Sequence, residues 1–303
     1  MSSTPDSTAP PTGHAAFERH RGHCFAIAYR MLGCVADAED LVQETWLRYS
    51  RHADTVREPK AFLTSVTTRL AIDRLRAQSR SRETYTGPWL PEPLVADAPP
   101  QTEAVDRAES VSMAFLVVLE QLSPVERAVF LLRSVFERDY EDIAAIVGKQ
   151  VANCRQIYAR ARRHVDAGRP RFEVARDEHL AVLAAFAQAA QTNDVDGLVA
   201  VLDPDARLIS DGGGKISAAL KPLVGPTKIV RFLLGVAQLR AKQGETSYAP
   251  RFINGRPGAL VYLDGELDST LSVDVVGGKI VGIQVVRNPD KLRHLQAEAQ
   301  ACR

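Results

Sequence analysis

Between residues 83 and 107 the chain carries Pro88, Pro91, Pro93, Pro99 and Pro100 together with Gly87. Proline has no amide hydrogen and clashes with the preceding helical turn, so no helix can run through this stretch. The segments on either side, 15–82 and 108–170, show helical spacing of apolar residues. The chain is therefore forced into separate helical modules joined by an extended spacer. Gly168 and Pro170 mark a second boundary.

Beyond that boundary the pattern changes. An Ala-rich helix is expected over 173–191 and a shorter one over 194–202. Asp203-Pro204-Asp205 reads as a turn, followed by a strand over 206–210. A helix follows Gly225-Pro226, with Pro226 suited to its first turn. Strand-like runs occupy 248–253, 259–263, 270–276 and 279–286. Gly277-Gly278 is a two-residue hairpin signal. Helices followed by an antiparallel sheet imply an α+β domain. The expected layout is a tail over 1–14, helical domains over 15–82 and 108–170, the linker over 83–107, an α+β domain over 171–290 and a tail over 291–303.

With 303 residues and 45% apolar composition, the chain has material for several cores. Its 38 basic and 37 acidic residues nearly cancel. The arginines are nonetheless clustered, at 69–82 and 155–171, with acids between them at Glu83, Glu92, Asp97, Glu103, Asp106 and Glu109. Cys24, Cys34, Cys154 and Cys302 form no CxxC pair, and no metal ligand set or cofactor motif is read. No stretch reaches the ~20 apolar residues of a membrane span, so a cytoplasmic protein is expected.

Ser123-Pro124-Val125-Glu126 is a capping box that opens a helix through Val129, Leu131 and Leu132. A second helix begins near Asp139, buries Ile143, Ala144, Ile146 and Val147, and stops at Gly148. A third runs from Gln150 to Val165. Its apolar residues share one face, and Gln150, Asn153, Arg155, Gln156, Arg160, Arg162 and Arg163 occupy the others. This is the pattern of a helix-turn-helix that reads the major groove. Asn and Gln suit adenine and Arg suits guanine, while the later arginines suit phosphates.

Upstream, residues 37–48 form an amphipathic helix with Leu41, Val42, Thr45, Trp46 and Tyr49 inward. Asp40, Gln43, Glu44 and Leu47 lie on its outer stripe. A helix from Pro59 carries Phe62, Leu63, Val66, Leu70 and Ile72, and becomes basic through Arg69, Arg74, Arg76, Arg80 and Arg82. The motifs DAEDLVQETWLR, PKAFLTSVTTRLAIDRLR, LSPVERAVFLL and DYEDIAAIVG, in this order over about 17–165, resemble regions two and four of extracytoplasmic-function RNA polymerase sigma factors.

The resemblance implies an alternative sigma factor with two all-α sigma domains, which binds core RNA polymerase and promoter DNA and is not an enzyme. Asp40, Gln43, Glu44 and Leu47 are implied to dock on the β′ coiled coil, with the β flap as a second polymerase contact. Arg69, Asp73, Arg74, Arg76 and Arg80 are implied to bind the minus-ten element. The helix from Gln150 to Arg163 is implied to read the minus-thirty-five element. Many family members have Asn where this chain has Arg69, so the preferred minus-ten bases are expected to differ.

The C-terminal block resembles the SnoaL-like cone fold. With Trp89-Leu90 in the linker, Asp211-Gly212-Gly213-Gly214-Lys215 and Asn288-Pro289-Asp290-Lys291-Leu292, the chain looks like the SigJ-type subgroup. In that subgroup the extension regulates the sigma domains in cis, and these motifs are implied to lie at the contacts that do so. The chemistry agrees. Three glycines allow close approach of another segment, Asp211 and Lys215 offer charge, and Asn288 can cap a short helix opened by Pro289. A second reading is a DNA-binding regulator whose cone senses a small-molecule ligand or is catalytic, with Asp268 and Asp274 lining its cavity. His179 is the one histidine in the cone, which speaks against catalysis.

Overall fold

The computed structural model describes residues 13–98, 112–168 and 176–301, with the side chains of 79–83, 168, 176 and 297–301 outside the description. Residues 1–12 of the tail expected over 1–14, residues 99–107 of the linker, the start of the second helical domain and the boundary at Pro170 lie outside the described residues, while Gly13 and His14 already belong to the first helix. Two compact units form: one from Met1–Gln78 and Pro124–Tyr158, the other from Ser79–Ser123 and Ala159–Arg303.

The first unit holds α1 (Gly13–Leu32), α2 (Val35–Ser50), most of α3 (Pro59–Glu83), α5 (Pro124–Ser134), α6 (Tyr140–Val147) and the start of α7 (Val151–Gly168). Helices α1 to α3 close over Phe17, Cys24, Val42, Tyr49 and Leu63, with Trp46 and Phe62 against them. Helices α5 to α7 close over Val129, Leu132, Ile143, Ala144, Ile146 and Cys154. Gly148 ends α6 in the left-handed conformation (φ 65°), where a side chain would be strained. The two helical groups are joined by Arg127, which is 2% exposed and donates to the Met31 carbonyl at 2.5 Å. His23 and Phe136 meet edge to face across the same joint, with centroids 5.3 Å apart.

The second unit is built on a seven-stranded sheet in the order β1-β4-β5-β6-β7-β2-β3. Its strands are β1 (Val95–Ala96), β2 (Leu202–Asp211), β3 (Leu223–Val224), β4 (Thr246–Ile253), β5 (Arg256–Leu263), β6 (Glu266–Val276) and β7 (Lys279–Val286). All neighbours are antiparallel except β2 and β7. Successive side chains on a strand point to opposite faces, and the cores follow that alternation. Leu208 and Val285 face α8 (Arg176–Gln191), α9 (Val195–Val201) and α10 (Pro226–Ala241), which supply Phe186, Leu198 and Ile229. Ile209 and Val286 face the other way, toward Leu90, Met113 of α4 (Met113–Leu119), and Leu292 and Leu295 of α11 (Pro289–Ala301). Gly277 and Gly278, at φ 54° and 72°, make the expected hairpin turn.

Three local features depart from the sequence expectation. Asp203-Pro204-Asp205 is a bulge inside β2, where pairing with β7 jumps from Leu202 to Arg207. The Asp203 carboxylate accepts from the Asp205 amide at 2.8 Å and closes that bulge. Residues from 291 onward are not a tail: they continue α11, whose Leu292 and Leu295 are buried. The linker, finally, is not a free spacer over its described part, because Val95 and Ala96 pair with Ile253 and Phe252 at the sheet edge.

Candidate functional site

On α2 the expected inward set holds: Leu41, Val42, Thr45 and Tyr49 are buried and Trp46 is half-buried. Asp40 and Gln43 are exposed, Glu44 is half-buried and pairs with Arg48 at 2.7 Å, and Leu47 is 57% exposed. An acidic stripe with a bare leucine at its end is what remains once the inner face is packed. Cys34 caps the helix, its Sγ accepting from the Asp37 amide. The Asp37 carboxylate then binds Arg74 at 3.0 Å and Gln78 at 2.8 Å, which fixes α2 against α3.

The basic set on α3 is less open than the sequence implied. Arg69 donates from Nε to the Ile146 carbonyl at 2.9 Å and from Nη2 to the Ala145 carbonyl at 2.7 Å. It therefore satisfies carbonyls at the C-terminal end of α6, where a cation is favoured. Arg74 is held by Asp37, and Arg76 pairs with Asp73 at 3.3 Å. The side chain of Arg80 lies outside the described residues. Beside Arg69 opens a cleft of about 400 Å³, lined by Arg48, Arg51, His52, Thr55, Val56, Phe62, Val66 and Arg69. Sequence reasoning found Phe62 and Arg69 there but missed Arg48, Arg51 and His52, which reach the cleft from the end of α2 and the following loop.

On α7, Gln150 at its start and Asn153, Arg155, Gln156, Arg160, Arg162 and Arg163 along it are all exposed, while Cys154, Ala161 and Val165 are buried. This matches the face assignment made from spacing. Arg162 meets Asp166 at 3.6 Å one turn on, and Arg155 lies 4.0 Å from Glu141. Such exposed pairs contribute little and do not lock either side chain.

The linker motif and the two motifs of the α+β domain come together at one carboxylate. Asp211 is fully buried. One of its oxygens accepts from the Tyr85 hydroxyl at 2.6 Å and the Gly213 amide at 3.0 Å. The other accepts from the Leu90 amide at 2.8 Å and the Lys291 ammonium at 2.6 Å. Lys291 also donates to the Leu90 carbonyl, and its ammonium stands 4.1 Å from the Trp89 ring centroid. Asn288 donates to the Tyr85 hydroxyl at 2.9 Å and accepts from the Asp290 amide at 3.1 Å, capping α11 as expected. Burial, then the hydrogen bond to Asp211 and its charge, raise the Tyr85 phenol above its usual range and keep it a donor.

Two of the three glycines are required by this packing. A Cβ on Gly213 (φ 61°) would sit 2.3 Å from Asn288 Nδ2, and one on Gly214 (φ 70°) 2.9 Å from Thr86 Cβ. Lys215 does not share the joint with Asp211; it pairs with Asp290 instead, lowering that carboxyl. Further along, His294 donates to the Pro93 carbonyl at 2.8 Å, and Leu94 and Asn254 exchange hydrogen bonds of 3.1 and 2.7 Å. Tyr85, Asn254 and His294 were not singled out from sequence. Nothing in local spacing distinguishes them, because their partners lie more than 100 residues away.

The two carboxylates suggested for a cavity are both engaged. Asp268 is gripped by Arg240 and by Arg287 at 2.8 Å. Burial raises its carboxyl, but the Arg287 hydrogen bond and the two guanidinium charges bring it below the usual value. Asp274 accepts from Gln284 at 2.6 Å, and burial pushes it up to about 6.

Comparison with known proteins decides what these parts belong to. Residues 16–81 match Sigma-70 region 2, and residues 112–165 match Sigma-70, region 4. The chain is 37% identical over 285 residues to the ECF RNA polymerase sigma factor SigJ of Mycobacterium tuberculosis, covering 91% of each. It belongs to the extracytoplasmic-function sigma factors. This sigma factor is also 32% identical to the probable ECF RNA polymerase sigma factor SigI of M. tuberculosis, over 94% of its own length and 96% of that protein's. The crystal structure of M. tuberculosis SigJ superposes with a TM-score of 0.74 at 34% identity, covering 91% of this chain and 97% of that one. The sigma factor thus joins two helical sigma regions to a C-terminal sheet domain, and its role is transcription initiation as an alternative sigma factor. Among the described residues no helix is long and apolar enough to cross a membrane.

Proposed function

We propose that this sigma factor is regulated in cis by its α+β domain, which holds the linker between regions two and four through Asp211. The carrying observation is the fully buried Asp211 carboxylate, three of whose four donors, Tyr85, Leu90 and Lys291, belong to the linker or to the helix packed beside it. A linker so held has fewer residues free to span between the promoter-binding regions, so its release changes what the factor can reach.

In this reading Asp40, Gln43, Glu44 and Leu47 dock on the β′ coiled coil of core polymerase in the cytoplasm, and region four meets the β flap. Arg48, Arg51 and Arg69 draw the melted minus-ten strand into the cleft, where Phe62 offers a stacking surface for a base. Asn153, Arg155 and Gln156 read minus-thirty-five base edges, and Arg160, Arg162 and Arg163 hold phosphates. No catalytic role is assigned to any part. The test is in vitro transcription with core polymerase and the full chain. Asp211→Ala is expected to change promoter-dependent yield at least severalfold while leaving core affinity unaltered. Unchanged yield would remove the regulatory role.

A further inference from the structure

We infer that Tyr140 is a positioning residue for minus-thirty-five recognition: its ring holds the Arg155 guanidinium in place on the face of α7 presented to DNA. This rests on the assignment of Arg155 to base readout made above. The guanidinium carbon of Arg155 lies 5.5 Å from the Tyr140 ring centroid, within cation–π range. Arg133 lies over the same ring at 5.1 Å and is itself fixed by a 3.0 Å hydrogen bond to the Arg138 carbonyl.

The ring is not a loose surface group. It meets Tyr158 edge on, with centroids 6.1 Å apart at 74°. Tyr158 in turn stacks on Phe130, which is 5% exposed, at 6.1 Å and 18°, and its hydroxyl accepts from Ser134 at 3.1 Å. A column of three rings, Phe130, Tyr158 and Tyr140, therefore runs from the helix-turn-helix core out to Arg155.

Arg155 needs that support because its side chain is 61% exposed. An exposed arginine samples many rotamers, and each one lost on binding weakens recognition. Its ion-pair partner, the Glu141 carboxylate, stands 4.0 Å away, is 70% exposed and is too distant for a hydrogen bond. The ring restricts the guanidinium without occupying its in-plane donors. Those donors stay available for a bidentate pair with guanine O6 and N7. A carboxylate partner alone would consume them.

The test uses holoenzyme reconstituted from core polymerase and the full chain. The probe is a promoter library with a fixed minus-ten segment and randomised base pairs across the minus-thirty-five position. Base preference at each position is read by sequencing the transcribed templates. The parent is expected to show a preference at one position that Arg155→Ala abolishes. Tyr140→Leu is expected to weaken preference at that same position about threefold and to leave the others within error. Tyr140→Phe keeps the ring and is expected to match the parent. In the Arg155→Ala background, Tyr140→Leu is expected to add nothing at that position.

If Arg155→Ala leaves every preference intact, the base-readout assignment fails and the inference falls with it. If Arg155→Ala acts but Tyr140→Leu keeps the parent preference, the assignment stands and the inference alone is overturned. A general loss across all positions in Tyr140→Leu, confirmed by a lowered unfolding midpoint, makes Tyr140→Phe the deciding variant. Loss of the preference in Tyr140→Phe overturns the positioning role of the ring, and its retention supports it.

Discussion

The Lys291 ammonium lies 2.6 Å from the Asp211 carboxylate, with 8% of one side chain and none of the other exposed. Two charges this far from water stabilise the fold only while both are present; removing one leaves the other buried and uncompensated. Lys291→Ala is therefore expected to destabilise the second unit by about 3 kcal/mol. The loss falls first on the linker, because Lys291 also holds the Leu90 carbonyl and faces Trp89. Hydrogen exchange at the Leu90 amide, which donates to Asp211 at 2.8 Å, reports that opening directly. It should quicken by about a hundredfold, since each 1.4 kcal/mol is a factor of ten. Unchanged exchange would mean that the linker is held by its apolar contacts alone.

Asp274 gives a pH dependence of defined sign. Burial raises its carboxyl to about 6, against the Gln284 hydrogen bond and the Arg256 charge, which act to lower it. In the unfolded chain the same group titrates near 3.8. The folded state thus binds the proton more tightly, and stability falls as pH rises from about 3.8 to about 6 and is level above. At 1.36 kcal/mol per pKa unit the cost at neutral pH is about 2–3 kcal/mol. His179 acts in the opposite direction. Burial and the Arg256 charge lower it to about 4, so its neutral form stabilises the fold above pH 6.5, and that stability is lost as pH falls toward 4. The two are separated by Asp274→Asn, which keeps an acceptor for Gln284. Urea unfolding should find this variant about 2 kcal/mol more stable than the parent at pH 7.5 and nearly equal to it at pH 4. Equal stability at both pH values would show that Asp274 is solvated.

Features set by local periodicity or turn chemistry were legible in the sequence. The outer stripe of α2, the inner face of α7, the Gly148 stop and the Gly277-Gly278 hairpin all follow from spacing or from residues that tolerate positive φ. The three motifs of the linker clamp were also found. Their pairing was not, because charge complementarity does not say which acid meets which base. Asp211 and Lys215 were both expected to make charged contacts across the joint, whereas the fold brings Asp211 the Lys291 ammonium, 80 residues away, and leaves Lys215 to Asp290. The apolar pattern of 292 and 295 was too short to distinguish a docked helix from a tail. The turn at Asp203–Asp205 was correct as chemistry, but a parallel neighbour strand absorbed it as a bulge.

Arg69 shows the same limit, and it carries the last prediction. A basic residue on a helix implied for DNA was expected to face solvent, yet its guanidinium donates to two carbonyls at the end of α6. It also borders the cleft that holds Phe62. One side chain therefore serves two ends. Arg69→Ala removes both functions: it leaves the terminal carbonyls of α6 without their cation, at a cost of about 1 kcal/mol for an exposed group, and it takes one positive charge from the cleft. Arg69→Lys separates them. It keeps a positive charge at the cleft but lacks the planar fork that donates to two carbonyls at once. Both variants are expected to lower the unfolding free energy of the first unit. Only Arg69→Ala should also reduce permanganate reactivity of minus-ten thymines in the open complex. If Lys matches Ala in strand opening, the contribution of Arg69 to the minus-ten element is its hold on α6 and not its charge.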